Sequence, residues 1–147
     1  MKKLAKSALA LALGTVFAGS ALAAEKEIVI GDQCDRTGAT QIVGTVLCPA
    51  EQDYYKLINS RGGIDGWMIR GDEIDNGYKV PEGIEAYERH KQMGVVMMTL
   101  YGTPQTVALN QRLEQDHMPT TSPGFGISAS ADGKRFPYLF PIAATYW

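Results

Sequence analysis

The sequence predicts an α/β protein built on a parallel sheet with helices on both faces. Three observations lead there. Short apolar or β-branched runs recur near 27–31, 68–74, 95–100, 118–122 and 138–140, each with the length of a strand. Between them, at 44–60, 81–93 and 103–116, lie segments of helical length, with apolar residues at three- and four-residue spacing clearest in the first. Glycine and proline fall at the junctions. Strict alternation of strand and helix calls for right-handed crossovers and hence a parallel sheet.

Residues 1–23 stand apart from this pattern. Lys2, Lys3 and Lys6 precede an apolar stretch from Ala8 to Ala18, and Ala21-Leu22-Ala23 supplies small residues for cleavage, the layout of a secretory signal peptide. Gly14, Thr15, Gly19 and Ser20 interrupt the run, which is too short for a membrane anchor. Cleavage after Ala23 leaves 11 basic and 16 acidic residues, a formal charge of −5. An acidic exported protein of this kind lacks the positive field that non-specific nucleic-acid binding requires. At 45% hydrophobic and 20% charged residues the chain can bury a core, which separates it from disordered and collagen-like sequences. No later run has spanning length, so residues 24–147 are expected to be soluble in the periplasm.

The elements follow in order. Glu27-Ile28-Val29-Ile30-Gly31 reads as a buried strand, and 32–40, polar and containing Gly38, as the loop leaving it. Val46, Leu47, Ala50, Tyr54, Leu57 and Ile58 share one helical face. Pro49 belongs in a first turn, where its missing N–H is not needed, so the helix is expected to begin close to it. Gly62-Gly63 ends that helix. Met68-Ile69-Arg70 and Glu73-Ile74 form the second strand, followed by a turn at Asp75-Asn76-Gly77. Pro81 is placed at a first helical position, with Ile84, Tyr87 and Lys91 on one side and Gly94 as stop. Residues 95–100 are nearly all apolar, as expected of a strand covered on both faces. Thr103-Pro104 reads as N-cap and first residue of the third helix, and Pro123-Gly124 closes a fourth, weaker strand.

Export gives the cysteines a meaning. Cys34 and Cys48 are an even pair in an oxidising compartment, and a disulfide is favoured over two buried thiols. It would close a loop of about 15 residues, stabilising by about 3 kcal/mol on the chain-entropy account.

Several polar groupings carry no chemistry. Asp72, Glu73, Asp75 and Asn76 lack the spacing of a calcium loop and read as a solvated turn. His90 and His117 have no cysteine companion, which places them as surface or capping residues rather than metal ligands. Ser122 and Ser128 sit in no nucleophile elbow, and no phosphate loop or dinucleotide fingerprint exists. The sequence implies no enzyme, no metal and no cofactor. An exported α/β enzyme remains the contrasting class, and turnover of candidate solutes would separate it from a binding protein.

One family is legible in particular residues. Ile58-Asn59-Ser60-Arg61-Gly62-Gly63-Ile64-Asp65-Gly66, Thr37-Gly38, Met93-Gly94-Val95-Val96 and Ser122-Pro123-Gly124 fall in the order and spacing of motifs in one group of proteins. Over about residues 27–145 the chain resembles the periplasmic solute-binding proteins of the branched-chain amino acid type, which feed ATP-driven importers. The resemblance implies an incomplete first lobe of a two-lobe fold, because that family's chains are more than twice as long; residues 24–147 are thus expected to be an N-terminal part. It also implies a small-molecule solute, an amino acid or related carboxylate or amide, and a membrane permease as partners. A ligand-sensing domain of a receptor is another reading.

In an open parallel sheet the ligand lies at the carboxyl ends of the strands, where the strand order reverses. Loops at 32–40, 100–103 and 122–126 are expected to meet there. Thr103 precedes a helix whose free N–H groups favour an anion, although a cap threonine serving its own helix is as good a reading. By resemblance, Tyr101, Gly102 and Thr103 match the family's first ligand-contacting loop, while Gly124, Phe125 and Gly126 match its second, after the turn that begins at Ser122. Gly126 stands where amino-acid binders carry a threonine, and Val43 where they often place a ring. An aromatic acid, a short amide or urea is therefore an alternative to leucine.

Overall fold

The computed structural model describes residues 26–122 and 128–144. Strand β1 (Glu27–Cys34), helix α1 (Gln41–Ser60), β2 (Met68–Asp75), α2 (Val80–Met93), β3 (Met97–Thr99), α3 (Thr103–Asp116), β4 (Thr120–Ser122) and β5 (Leu139–Pro141) follow one another. A short 3₁₀ turn, Ser128–Ala131, lies between β4 and β5. All neighbouring strands run parallel in the order β2-β1-β3-β4-β5. The expected α/β architecture is present.

The helices divide between the two faces. On one, Tyr87 of α2 and Leu109 and Leu113 of α3 pack against Val95, Met98 and Leu100. On the other, Tyr55 of α1 packs against Ile30 and Ile69. A third cluster of Cys34, Cys48 and Tyr101 lies at the carboxyl end of the sheet. Burying apolar surface on both faces is what stabilises such a layered fold, at about 25 cal/mol for each Å² removed from water.

Several boundaries differ from the sequence expectation, each for a visible reason. Strand β1 runs on through Asp32, Gln33 and Cys34, because β2 continues to pair with them as Glu73, Ile74 and Asp75. Their polar side chains can be buried because each finds a partner. Helix α1 begins at Gln41, well before Pro49, which therefore lies inside it. The Asp35 carboxylate orders the preceding turn, accepting from the backbone N–H of Gly38 at 2.5 Å and of Thr40 at 2.6 Å, and from the Thr40 hydroxyl at 2.6 Å. With that turn fixed, the helix starts early and tolerates the single hydrogen bond that Pro49 cannot donate. Pro81 is the second residue of α2 rather than the first. Strand β3 is only three residues long. Val96, three residues after α2 ends, is 55% exposed, so the run 95–100 is not covered throughout.

His90, expected at the surface, is fully buried. It packs against Gly31, with Nε2 3.4 Å from Asp72 Oδ1. Burial pushes its pKa down, which favours the neutral ring. His117 is the C-cap of α3 and takes the left-handed conformation. The acidic residues read as a solvated turn are instead largely part of β2, and Asn76 is buried. Among the described residues no group of His, Cys, Asp and Glu could hold a metal, and no helix is long and apolar enough to cross a membrane.

Candidate functional site

Strand β1 leads to β2 on one side, and β3 returns on the other, so the order reverses between β1 and β3. Open parallel sheets bind ligands above the carboxyl ends at such a point. Here the segments after β1, β2 and β3 are fastened to one another by polar side chains. Arg36 makes a two-pronged ion pair with Glu73, and its backbone N–H donates to Asp75 Oδ1 at 3.0 Å. The Thr37 hydroxyl donates to Asp75 Oδ2 at 2.8 Å. Burial pushes the Asp75 carboxyl up, but donation from Arg36, Gly77 and Thr37 outweighs it and holds the group below the usual carboxylate range.

Asn76 ties together β1 and the segments that follow β2 and β3. Its Nδ2 donates to Gln33 Oε1 at 3.0 Å and to the Tyr101 carbonyl at 2.9 Å, while its Oδ1 accepts from the Tyr78 N–H at 2.9 Å. Gln33 in turn donates to the Gly83 carbonyl at 2.9 Å. An asparagine in an Asp-Asn-Gly turn is ordinarily solvent-facing, so the sequence offered no signal for this role beyond the turn itself.

Tyr101, Gly102 and Thr103 lie together at this end. The Tyr101 ring is buried against the Cys34–Cys48 disulfide and stands edge-on to Tyr78 at 6.4 Å between centroids. Its side chain therefore faces the sheet's own core. Gly102 has φ +103°, a conformation that L side chains rarely adopt, and it is the N-cap of α3. Thr103, expected as the cap, is the first residue inside the helix. The Gly102 carbonyl accepts from the Thr106 N–H at 3.0 Å and the Thr106 hydroxyl at 2.9 Å. Beside it the Gln105 amide is fully buried, with neither polar atom hydrogen-bonded. Ser122 ends β4 and is buried. Gly124, Phe125 and Gly126 lie outside the described residues, as does the segment 1–23 expected to be a signal peptide. Val43, in the first turn of α1, is partly exposed.

Open α/β proteins hold their ligands above such a switch point. The chain belongs to the periplasmic binding protein family, whose model matches residues 27–147. Among solved structures it is similar to an ABC transporter permease from the Pseudomonas fluorescens group at 31% identity and a TM-score of 0.73, covering 83% of this chain and 31% of that one. It is similar to a fatty acid ABC transporter substrate-binding protein from Thermomonospora curvata at 27% identity and a TM-score of 0.70, covering 82% and 30%. It is also similar to the branched-chain amino acid transporter substrate-binding protein of Streptococcus pneumoniae in complex with isoleucine, at 26% identity and a TM-score of 0.71, covering 82% and 34%. The chain spans about a third of the length of these structures. Among curated proteins none matches it.

Proposed function

We propose that this chain is the N-terminal part of the extracytoplasmic solute-binding component of an ABC importer. It contributes one wall of a cleft that closes on an amino acid or related small polar solute, which a membrane permease then receives. The observation that carries this reading is the convergence of the β1, β2 and β3 loops on the start of α3, fastened by Asn76. Tyr101, Gly102 and Thr103, with Ser122 at the end of β4 and Gly124, Phe125 and Gly126 beyond it in the sequence, are proposed to contact the solute. The N–H groups at the start of α3 suit a carboxylate. The leader of residues 1–23 and the disulfide both agree with an oxidising, extracytoplasmic location.

Glycine at 126 and valine at 43 give an aromatic acid, a short amide or urea as the alternative to leucine. No general base paired with a nucleophile is found at the described part of the cleft, and the proposal is binding without turnover. A thermal-shift screen of the full-length gene product against amino acids, aromatic acids and short amides tests it, since a solute bound only by the folded form raises the unfolding midpoint. A shift without consumption of the solute is expected. Turnover, or no shift with any of the three classes, would overturn the reading.

A further inference from the structure

Beneath α1 the sheet carries a polar row. Asp32 of β1, Thr99 of β3 and Thr121 of β4 are lateral partners in register. Asp32 is only 2% exposed. Its Oδ2 accepts from Gln52 Nε2 at 3.0 Å, and its Oδ1 lies 3.2 Å from the Tyr55 hydroxyl. That hydroxyl is also 3.1 Å from Glu51 Oε1, which accepts from Thr99 Oγ1 at 3.0 Å. Thr121 Oγ1 is 3.4 Å from Thr99 Oγ1. Gly71 leaves room for the arrangement, since a Cβ there would sit 2.5 Å from Asp32 Oδ2.

Counting protons exposes a shortage. Tyr55 has one O–H but touches two carboxyl groups. If both are ionised, one contact sets lone pair against lone pair. The groups facing Asp32 do not relieve this. From α1 come Glu51, Tyr55 and the neutral Gln52. From β2 comes Glu73, in register with Asp32 and already paired with Arg36. From β3 and β4 come only threonine hydroxyls. Among the described residues no ion pair reaches Asp32 or Glu51. One further proton resolves the geometry, with Tyr55 donating to one carboxylate and accepting from the other as a carboxylic acid.

We infer that Asp32, Glu51, Tyr55 and Thr99 form a proton-operated latch. One proton held between the two carboxyl groups clamps α1 to β1 and β3, and its release to solvent loosens the helix. Burial first, and the Glu51 charge second, push the Asp32 carboxyl up to about 7 from 3.8. The folded chain therefore keeps a proton that the unfolded chain loses, so stability falls as pH rises from about 4 through about 7 and levels off above. Helix α1 starts at the loop bordering the candidate cleft, so the latch links that loop to external pH.

Carbon-13 NMR titration of the full chain reads Asp32 directly, with an expected midpoint within about one unit of pH 7. The unfolding midpoint is expected to fall by roughly 8 °C between about pH 5 and pH 8, with amide exchange accelerating in α1 more than in α3. Asp32→Asn is expected to remove this pH dependence. Glu51→Gln, at a half-buried position, is expected to lower the Asp32 midpoint and serves if Asp32→Asn does not fold. An Asp32 midpoint below about pH 5, or equal acceleration of exchange in α1 and α3, would overturn the latch. So would an Asp32→Asn profile parallel to that of the wild type.

Discussion

Asn76 shows how much one buried amide holds. Its three hydrogen bonds reach Gln33, Tyr78 and Tyr101, which belong to β1, the segment before α2 and the segment before α3. Asn76→Ala strands two acceptors and one donor where water is scarce, at a cost of about 3 kcal/mol measurable by urea unfolding. Asn76→Asp keeps the shape but sets a carboxylate oxygen against the Gln33 and Tyr101 oxygens, and an equal or larger loss is expected. A loss below about 1 kcal/mol for both would show that the clasp does not hold these segments. At this scale the sequence was legible where composition decides, as with a single pair of cysteines. It was not legible for Asn76 or Asp32, whose partners are remote in sequence and whose residue types usually face water.

Elements were more readable than residues. Helical spacing and glycine stops located the body of α1, and the apolar run 95–100 located β3, because periodicity reports which faces are buried. The ends were misplaced where tertiary partners override local preference. Polar Asp32 and Gln33 extend a strand, Pro49 sits inside a helix, and Gly102 rather than Thr103 caps α3. The candidate cleft was readable as strand ends and a helix start, but its clasp was not. Between β1 and α1 the disulfide joins Cys34 at the strand's last residue to Cys48, with Cα atoms 6.3 Å apart. Replacing both cysteines by alanine is expected to lower stability by about 3 kcal/mol on the chain-entropy account. Alkylation of the exported protein without reductant, followed by intact-mass measurement, should modify no thiol; two modified thiols would refute the bridge.

On the scale of the whole molecule, the face bearing α1 is sparsely covered. Ile42 at 81% and Val46 at 71% exposure, with Tyr54 and Leu57, project from the helix, and Phe140 on β5 is in register with Thr121 of the same sheet face. Exposed apolar surface of this extent drives association. Residues 24–147 by themselves are expected to sediment as species larger than the 16.0 kDa of the full sequence, and Val46→Glu to shift them toward monomer. A monomer at all soluble concentrations would contradict this. One route to such species is closed at β5. Ile142 N–H turns back to the Ser122 carbonyl, so even-numbered amides point toward β4 and odd-numbered ones outward. Of the outward pair, Leu139 N–H is already taken by the Phe136 carbonyl, and Pro141 has none. The free margin of β5 thus offers no donor to a passing strand, a safeguard against fibril growth by strand addition from that side. Strand addition at the outer margin of β5 is therefore not expected to contribute to self-association of this chain.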